Sequence, residues 1–357
     1  MKLFITSPTG YSGKTAVSMA LGLLLKEQGF NVGYFKPIGK PGIHDDVHDE
    51  DAHLAKVILG MDYPLEVISP VLLRPDRYLE EGSNREELHQ KIKTAFEKLS
   101  TAHDILIIES SCCLNDFVSL DLDGARLAKE FGSKMILIVT GKDDRTVDTI
   151  LREKYFIEQR TGTDTILSGI IFNYIEPYVL ERIKGVTYPV LEQLNIPIFG
   201  LIPAETHIVA PTVSDIYNVL GEGEVLVGKD KMDELIVEDF LVGAMSPEAS
   251  LRWFRRSIRK AVILGGDRPD TALAALTTDT SVLILTGNLH PSTHVLVKAD
   301  ERGVPVILVP YDTFSTVRKI EGIVGKIRPK LSTIKIMKEL IEKHVDWQTI
   351  LQILKEE

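Results

Sequence analysis

The chain has little cysteine, no long apolar run and no excess of positive charge. Its two cysteines, Cys112 and Cys113, are adjacent, so they cannot build a disulfide framework, and a reducing cytoplasm is the expected location. No apolar stretch approaches the roughly 18 residues of a membrane span. The start, Met1–Ile5, leads directly into a predicted strand and lacks the cleavage region of a signal peptide. These absences predict a cytoplasmic protein without a membrane partner.

The charge balance excludes a general nucleic-acid-binding surface. The 357 residues include 41 basic and 51 acidic ones, for a net charge of −10. A protein that binds nucleic acid through phosphates needs a basic surface instead. The length allows two or three domains, and neither a repeat nor a low-complexity segment interrupts them.

Short β-rich runs alternate with helical patterns over residues 1–208. Several of the runs are continuously apolar, which is typical of strands buried on both faces of a parallel sheet. This alternation predicts an α/β domain with a doubly wound parallel sheet, in which ligands bind at the carboxyl ends of the strands. The predicted strands are Lys2–Thr6, Val32–Phe35, Ile105–Glu109, Met135–Thr140, Leu167–Asn173 and Ile198–Ile202.

The strongest functional signal is the loop Ser7–Thr15, which lies between the first strand and an amphipathic run from Ala16. Backbone N–H groups in such a loop can bind phosphates, while Lys14 reaches the outer phosphates and Thr15 holds Mg²⁺. Pro8 replaces the first glycine of the usual pattern. An ordinary strand–turn–helix with a surface lysine is the alternative. The expected nucleotide-binding residues of the loop are Thr9, Gly10, Tyr11, Ser12, Gly13, Lys14, Thr15 and Ala16.

Polar residues also follow three other predicted strands. Lys36 comes after the second strand, where it would point towards the phosphate loop, unless it is a plain surface lysine. Glu109 ends the third strand and needs a cation there if it is buried. Asn173 ends the fifth strand and is a candidate for reading an adenine edge, or a simple turn residue.

An acidic segment with three histidines, His44–His53, follows Lys36. It is either a solvated loop with a helix start, a zinc site or a source of carboxylates for Mg²⁺. Cysteine is missing from it and the spacing matches no closed zinc site, so Mg²⁺ is preferred. Further along, Asp116, Asp121 and Asp123 are interpreted as a loop and a helix cap rather than a second metal site.

A second, smaller α/β pattern occupies residues 212–328, after a boundary near Pro203–Pro211. Two strand-end loops, at Asp267–Arg268 and at Thr286–Asn288, indicate a site for a small anionic ligand, although glycine turns alone would give the same pattern. The tail, residues 329–357, is predicted to form two short helices that serve packing or dimerisation. Four arginines are predicted to share one helix face, either solvated or anion-binding: Arg252, Arg255, Arg256 and Arg259.

Residues 1–208 resemble the dethiobiotin-synthetase-like P-loop domain, which also occurs at the N-terminus of long phosphotransacetylases. The resemblance rests on the phosphate loop, Phe35–Pro37, Glu50–Ala52, Ile108–Glu109, Ile171–Asn173 and Gly200–Pro203. It implies ATP and Mg²⁺ as cofactors. It assigns catalysis to Lys14 and Lys36, metal binding to Thr15, Asp51 and Glu109, and nucleotide contacts to Asn173 and Pro203. The family's glycine-rich segment after the glutamate is replaced by Ser110–Cys113.

Residues of about 215–325 resemble the DRTGG domain, which accompanies this P-loop domain or regulatory CBS domains. The shared features are Gly266–Arg268, Ala274–Leu276, Leu283–Gly287 and Tyr311–Thr313. The combination predicts a nucleotide-dependent regulator that forms a homodimer. An ATP-dependent ligase of the dethiobiotin synthetase type is the alternative, and an interaction protein with a vestigial loop is a third class.

Overall fold

The computed structural model describes residues 1–41, 48–205, 210–321 and 331–356. It divides the chain into two compact units, of which the first combines Met1–Ala204 with Pro329–Glu357 and the second is Glu205–Arg328. Residues 44–47 of the acidic segment and the predicted limits at residues 208, 328 and 329 lie outside the described residues. None of the described helices combines the length and the apolar composition that crossing a membrane requires.

A six-stranded parallel sheet forms the centre of the first unit, in the order β2-β5-β1-β6-β7-β8. The chain runs from β1 to β2 at the edge, returns to β5 between these two strands, and then adds β6, β7 and β8 on the other side of β1, so the topological switch point lies beside β1. Strands β2 and β5 are buried along their whole length, as their apolar runs predict. The strands are β1 Lys2–Thr6, β2 Val32–Phe35, β3 Ile38–Gly39, β4 Val71–Leu72, β5 Ile105–Glu109, β6 Lys134–Val139, β7 Leu167–Ile175 and β8 Ile198–Pro203, with β3 and β4 forming a separate pair.

Helices connect these strands, and local capping explains several of their starts. Asp49, Asn84 and Asp123 each accept a backbone N–H in the first turn of the helix that follows. A π-helical turn over Ile183–Thr187 joins the eighth helix to the ninth. The helices are α1 Lys14–Glu27, α2 Glu50–Leu59, α3 Leu65–Ile68, α4 Tyr78–Glu81, α5 Arg85–Ala102, α6 Gly124–Glu130, α7 Arg145–Thr161, α8 Pro177–Arg182 and α9 Tyr188–Gln193.

The second unit is a mixed five-stranded sheet in the order β10-β11-β12-β13-β9, with β9 antiparallel to β13. Successive residues of β11 enter opposite cores: Ala261 and Ile263 pack in one apolar cluster, Val262 and Leu264 in the other. Its strands are β9 Glu224–Val227, β10 Asp239–Val242, β11 Lys260–Gly265, β12 Thr280–Thr286 and β13 Val306–Leu308. Its helices are α10 Val213–Leu220, α11 Pro247–Phe254, α12 Pro269–Leu276, α13 Thr293–Arg302 and α14 Thr313–Glu321.

The predicted arginine face does not form. Helix α11 ends at Phe254, and Arg255 is already its C-cap. Arg259 adopts a positive φ of 43° outside the helix and pairs with Glu238. The helical spacing of the four arginines therefore extends beyond the end of the helix. The sequence pattern alone did not show where the helix ends.

The tail folds as two helices, α15 Leu331–His344 and α16 Trp347–Lys355, close to the predicted positions. Both belong to the first unit, although the second unit precedes them in sequence. Lys338 forms an ion pair with Glu27 of α1 at 2.6 Å, and Val345 bridges to Gly200 of β8. Of the two predicted roles, packing is the one that the described contacts illustrate.

Candidate nucleotide-binding site

The candidate site begins at the loop after β1 and at the first turn of α1, whose N–H groups have no partner within the helix itself. Gly13 is the N-cap of α1 with a φ of 83°, and neither a side-chain cap nor an acidic residue occupies the first turn. A side chain at Gly13 would collide with Asn173 and with the ring of Tyr174. This close approach and the positive φ explain why the position is glycine. The helix start can therefore receive an anion from outside.

Lys14 is a buried cation whose partners are weak ones. Its Nζ donates to Ser7 Oγ at 2.9 Å and to the carbonyl oxygen of Cys112. Burial lowers the pKa of Lys14, and the nearby Glu109 opposes that effect. A lysine that is only 6% exposed and is held by a hydroxyl and a carbonyl has capacity to bind an anion.

Glu109 joins the loop to the end of β5. Its Oε1 accepts from Thr15 Oγ1 at 2.7 Å, and its Oε2 accepts from the hydroxyl of Tyr34 at 3.1 Å. Burial raises the pKa of Glu109, while Lys36 and Lys14 oppose this. A hydroxyl and a carboxylate at this separation form the type of oxygen pair that Mg²⁺ takes together with phosphate oxygens.

Lys36 lies against two carboxylates at the start of α2. Its Nζ is 3.3 Å from Asp49 Oδ2 and also pairs with Asp51. Burial by itself lowers the pKa of Lys36, but Asp49, Asp51 and Glu109 together raise it above the usual value. Asp51, an expected metal ligand, is thus engaged with Lys36 and belongs to the same charge network as Glu109.

Asn173 lies beneath the loop at the end of β7. Its Nδ2 donates to the carbonyl oxygen of Ser12 at 2.8 Å. Its Oδ1 and the hydroxyl of Ser12 are buried and have no hydrogen-bond partner in the part of the chain that is described. The structure therefore gives Asn173 a loop-supporting contact, and its role towards an adenine remains a prediction.

The other residues predicted to contact a nucleotide lie in the loop, in the first turn of α1 and at the end of β8. The carbonyl oxygen of Thr9 accepts from Ser7 Oγ at 2.7 Å, and Tyr11 is exposed with a φ of 60°. Ala16 is buried in the first turn of α1. Pro203 lies at the end of β8, the edge strand opposite β2, in register with Ile175.

The segment after β5 brings both thiols next to the phosphate loop. The Cys113 thiol donates to the sulfur of Cys112, and this bond, together with Lys40 and Lys14, lowers the pKa of Cys112 to about 6. The same hydrogen bond raises the pKa of Cys113. Both residues are half-buried, so the segment that differs from the synthetase pattern carries an ionisable group into the site.

Among the acidic residues after β5, Asp123 takes the capping role that the sequence predicts. Asp123 caps α6, and Arg160 pairs with Asp121 at 2.5 Å and with Asp123 at 2.6 Å. Asp116 is separate from that cap, since one of its oxygens accepts from the backbone N–H of Cys113 at 3.0 Å.

A cavity of about 420 Å³ in the second unit lies where α11 and α12 begin. Asp267, Arg268 and Ser246 are among its lining residues. Arg268 is exposed and donates to the carbonyl oxygens of Gly243 and Ala244 at 3.3 and 3.0 Å. The loop at Thr286 instead bonds to Thr313 at 2.9 Å, which anchors the start of α14.

Sequence reasoning missed several members of the first site. Ser7, Tyr34 and Asp49 each hold one of the predicted residues. Asp49 carried a signal, because it immediately precedes a helix and is a strong N-cap type. Tyr34 lies two positions before Lys36 on an extended strand, so it faces the same side.

Comparisons with known proteins agree with this geometry. Residues 1–212 match the AAA domain family, and residues 215–323 match the DRTGG domain. The chain is 27% identical over 361 residues to the phosphate acetyltransferase of Nitratidesulfovibrio vulgaris, covering 96% of this chain and 50% of that protein. It is 31% identical over 208 residues to the ATP-dependent dethiobiotin synthetase of Methanococcus vannielii, covering 56% of this chain and 92% of that protein.

The chain spans about half the length of the phosphate acetyltransferases that it matches. Among solved structures, it is similar to the CBS and DRTGG domains of the regulatory region of Clostridium perfringens pyrophosphatase, complexed with diadenosine tetraphosphate. That similarity has a TM-score of 0.29 and 20% identity, over 43% of this chain and 71% of the other. The predicted fold class and both family resemblances are confirmed. The chain therefore belongs to the AAA domain family, in its dethiobiotin-synthetase-like P-loop branch, and carries a DRTGG domain after the P-loop domain.

Proposed function

We propose that this protein binds ATP with Mg²⁺ at the P-loop and that its DRTGG domain makes it a nucleotide-dependent regulator. The observation that carries the proposal is the uncapped start of α1, with Lys14 buried beside it and Thr15 bonded to Glu109. A phosphate group would give Lys14 a stronger partner than Ser7 and the Cys112 carbonyl.

The residues present fit a metal-bound nucleotide. Thr15 and Glu109, with Asp51 joined through the Lys36 network, would hold Mg²⁺, directly or through water. The metal would neutralise phosphate charge when bound. The Oδ1 atom of Asn173, which has no hydrogen-bond partner among the described residues, would accept a hydrogen bond from the nucleotide or from a water beside it.

Binding of ATP, measured by calorimetry and by thermal unfolding of the full chain, tests the proposal. ATP with Mg²⁺ at 100 times its dissociation constant should stabilise the protein by about 2.7 kcal/mol. Lys14→Met should abolish this shift, while Lys142→Met, at another strand-end loop of the same unit, should retain it. An unchanged shift in Lys14→Met contradicts the assignment.

An ATP-dependent ligase of the dethiobiotin synthetase type is the second candidate. Lys36 favours it, because it is a buried lysine at the ligand end of the sheet and would bind a carbamate or carboxylate once Asp51 turned from it to Mg²⁺. ADP release that requires diaminopelargonate and bicarbonate would support the ligase. Tight nucleotide binding without substrate-dependent turnover would support the regulator.

The second unit would supply the regulation by taking a small anionic effector in the cavity beside Arg268. The guanidinium of Arg268 already donates to two carbonyls, which holds the side chain at the cavity wall.

We further propose a cytoplasmic homodimer, because two-fold assemblies are the commonest. Light scattering of the full chain, with and without ATP, checks the dimer, and Arg268→Gln should remove effector binding while ATP binding at the P-loop persists.

A further inference from the structure

Cys112, Cys113 and Asp116 form a compact cluster of metal-ligating groups after β5. Their two Sγ atoms and a carboxylate oxygen all lie within 4.8 Å of one another. The thiols are already in contact, through the hydrogen bond from Cys113 to Cys112. The two sulfurs and the oxygen are thus already close enough together to bind one ion.

The surroundings of the cluster contain an unused polar group and a small space. A cavity of about 10 Å³ is lined by Ser111, Cys113 and Asp116 together with apolar side chains such as Phe4 and Leu122. This is about the room that one water molecule or one ion needs. The hydroxyl of Ser111 is shielded from solvent and has no hydrogen-bond partner within the described ranges. A buried hydroxyl without a partner indicates a missing ligand atom or water.

The backbone holds this segment in place. Leu114 N donates to Ser7 O at 2.9 Å, and Gly124 N donates to Leu114 O at 2.9 Å. Cys113 N donates to Asp116 Oδ2 at 3.0 Å, which orients the carboxylate towards the thiols. Preorganised ligands of this kind reduce the entropy that metal binding would otherwise cost.

The ligand types select the metal. Thiolates favour soft or borderline cations such as Zn²⁺ over Mg²⁺, which prefers oxygen. Three protein ligands leave a fourth tetrahedral position for water, as in open zinc sites. We propose that Cys112, Cys113 and Asp116 bind a thiophilic divalent cation of the Zn²⁺ class, and that its binding is linked to nucleotide binding through Lys14. For Asp116 this replaces the prediction from the sequence that it belongs to no metal site. Both sulfurs bind as thiolates, so the Cys113 proton and any proton still on Cys112 are released to solvent when the cation binds.

The link to the phosphate loop follows from two contacts. The carbonyl oxygen of Cys112 accepts from Lys14, and a Cβ atom on Gly10 would come within 2.8 Å of Cys112 Sγ. A cation bound to the thiols would hold the Cys112 carbonyl in place as a partner of Lys14. Lys14 would then exchange this carbonyl for a phosphate less readily. This link rests on the proposed nucleotide function, whereas the metal site itself does not.

Cobalt titration of the reduced full chain without nucleotide tests the site, because Co²⁺ replaces Zn²⁺ and absorbs strongly in the near ultraviolet when thiolates bind it. We expect one equivalent of Co²⁺ to produce this absorption and Zn²⁺ to remove it. Cys112→Ser and Cys113→Ser should each lose it. Asp116→Asn keeps an acceptor for Cys113 N and should weaken binding at least tenfold. Asp62→Asn, at an exposed position outside the cluster, should bind as the wild type does.

Absence of thiolate-to-cobalt absorption in the wild type, or absorption as strong as that of the wild type in either cysteine variant, overturns the metal site. Thermal unfolding of each variant without metal separates lost ligation from lost folding, since a serine that preserves the fold should unfold near the wild-type temperature.

Reciprocity tests the link. With concentrations of free Zn²⁺ and free ADP corrected for the complex that they form in solution, the dissociation constant of Zn²⁺ should rise several-fold in saturating ADP, and that of ADP should rise by the same factor in saturating Zn²⁺. Equal zinc affinities with and without bound ADP overturn the link. Failure of ADP to bind at all contradicts the proposed function instead and leaves the cobalt spectrum as an independent result.

Discussion

Each of the two sheets carries a buried lysine, and the two are held in opposite ways. Lys36 follows β2 at the carboxyl end of its sheet and is surrounded by Asp49, Asp51 and Glu109, which raise its pKa. Lys260 begins β11 at the opposite end of its strand, where it donates to the carbonyl oxygens of Ser257 and Asp279. Burial lowers the pKa of Lys260.

The two lysines differ in their surroundings: Lys36 belongs to the candidate site, whereas Lys260 supports the fold of the second unit. Carboxyl ends of parallel strands are where ligands bind, and there the first unit gathers more buried charge than its packing requires. Lys260 instead completes the hydrogen bonds of two chain segments around an apolar core. A buried charge among other charges is therefore a better indication of function here than burial alone.

The largest expected effect comes from removing the cation of the first unit. Lys36→Met leaves the carboxylate of Asp49, which is 3% exposed, without its ion pair, and should cost about 3–5 kcal/mol of stability. Urea-dependent hydrogen exchange of α2 measures this loss. Adding Asp49→Asn, which keeps the cap on Ala52 N, should recover much of it. A loss below about 1 kcal/mol for Lys36→Met would mean that Lys36 contributes no more to stability than Lys260 is expected to contribute.

Tail docking tests how far the first unit extends. Gly200→Ala would place its Cβ 2.7 Å from Val345 Cα and still closer to the backbone oxygen of His344, so about 1–3 kcal/mol should be lost. Deuterium uptake of α15 should increase, while that of the second unit stays constant. Gly185→Ala is the matched control, since its Cβ meets nothing within 4 Å. Unchanged uptake in α15 would mean that this contact contributes little to docking.

Lys260→Met should have a smaller effect, confined to the second unit. The carbonyls of Ser257 and Asp279 lose a donor, but the cost of burying an ammonium group disappears as well. We expect a net loss of about 1 kcal/mol, measured by exchange of β11. A loss equal to that of Lys36→Met would remove the contrast between scaffold and site.

The smallest effect is a difference in pH dependence. The raised pKa of Lys36 means that its contribution is complete below the ordinary value of 10.5 and falls only as the pH rises through the folded value. For Lys260 the folded pKa is lowered, so the folded state binds fewer protons than the unfolded state just below 10.5, and stability rises with pH there. Free energies of unfolding between pH 7 and 10, each compared with the methionine variant, should show a flat difference for Lys36 and a rising one for Lys260. Parallel slopes would contradict both pKa directions.

Much of the fold was predictable because it depends on local patterns. The apolar runs located β1, β2 and β5 to the residue, and alternation of strands and helices indicated the parallel sheet. The short strands β3 and β4 were missed because two residues carry no periodicity. The arginine face failed because helix termination at Phe254 depends on packing as well as on spacing.

The candidate site divides in the same way. Lys14, Thr15, Lys36 and Glu109 were identifiable from strand-end positions, and the structure joins them in one network. Their metal and catalytic roles remain predictions. Two contacts could not be predicted: the ion pair of Lys36 with Asp49 and the hydrogen bond of Lys14 to the Cys112 carbonyl. Each joins groups that are not neighbours in sequence.

By itself, the sequence determined where strands, helices and the phosphate loop occur, since these follow from the hydrophobic period and from the glycine that the loop requires. Tertiary structure alone decided that the tail returns to the first unit, that two thiols meet Asp116 beside the loop, and which buried lysine is surrounded by carboxylates. The physical reason is that burial and charge pairing depend on the neighbours brought by folding, which no local pattern specifies.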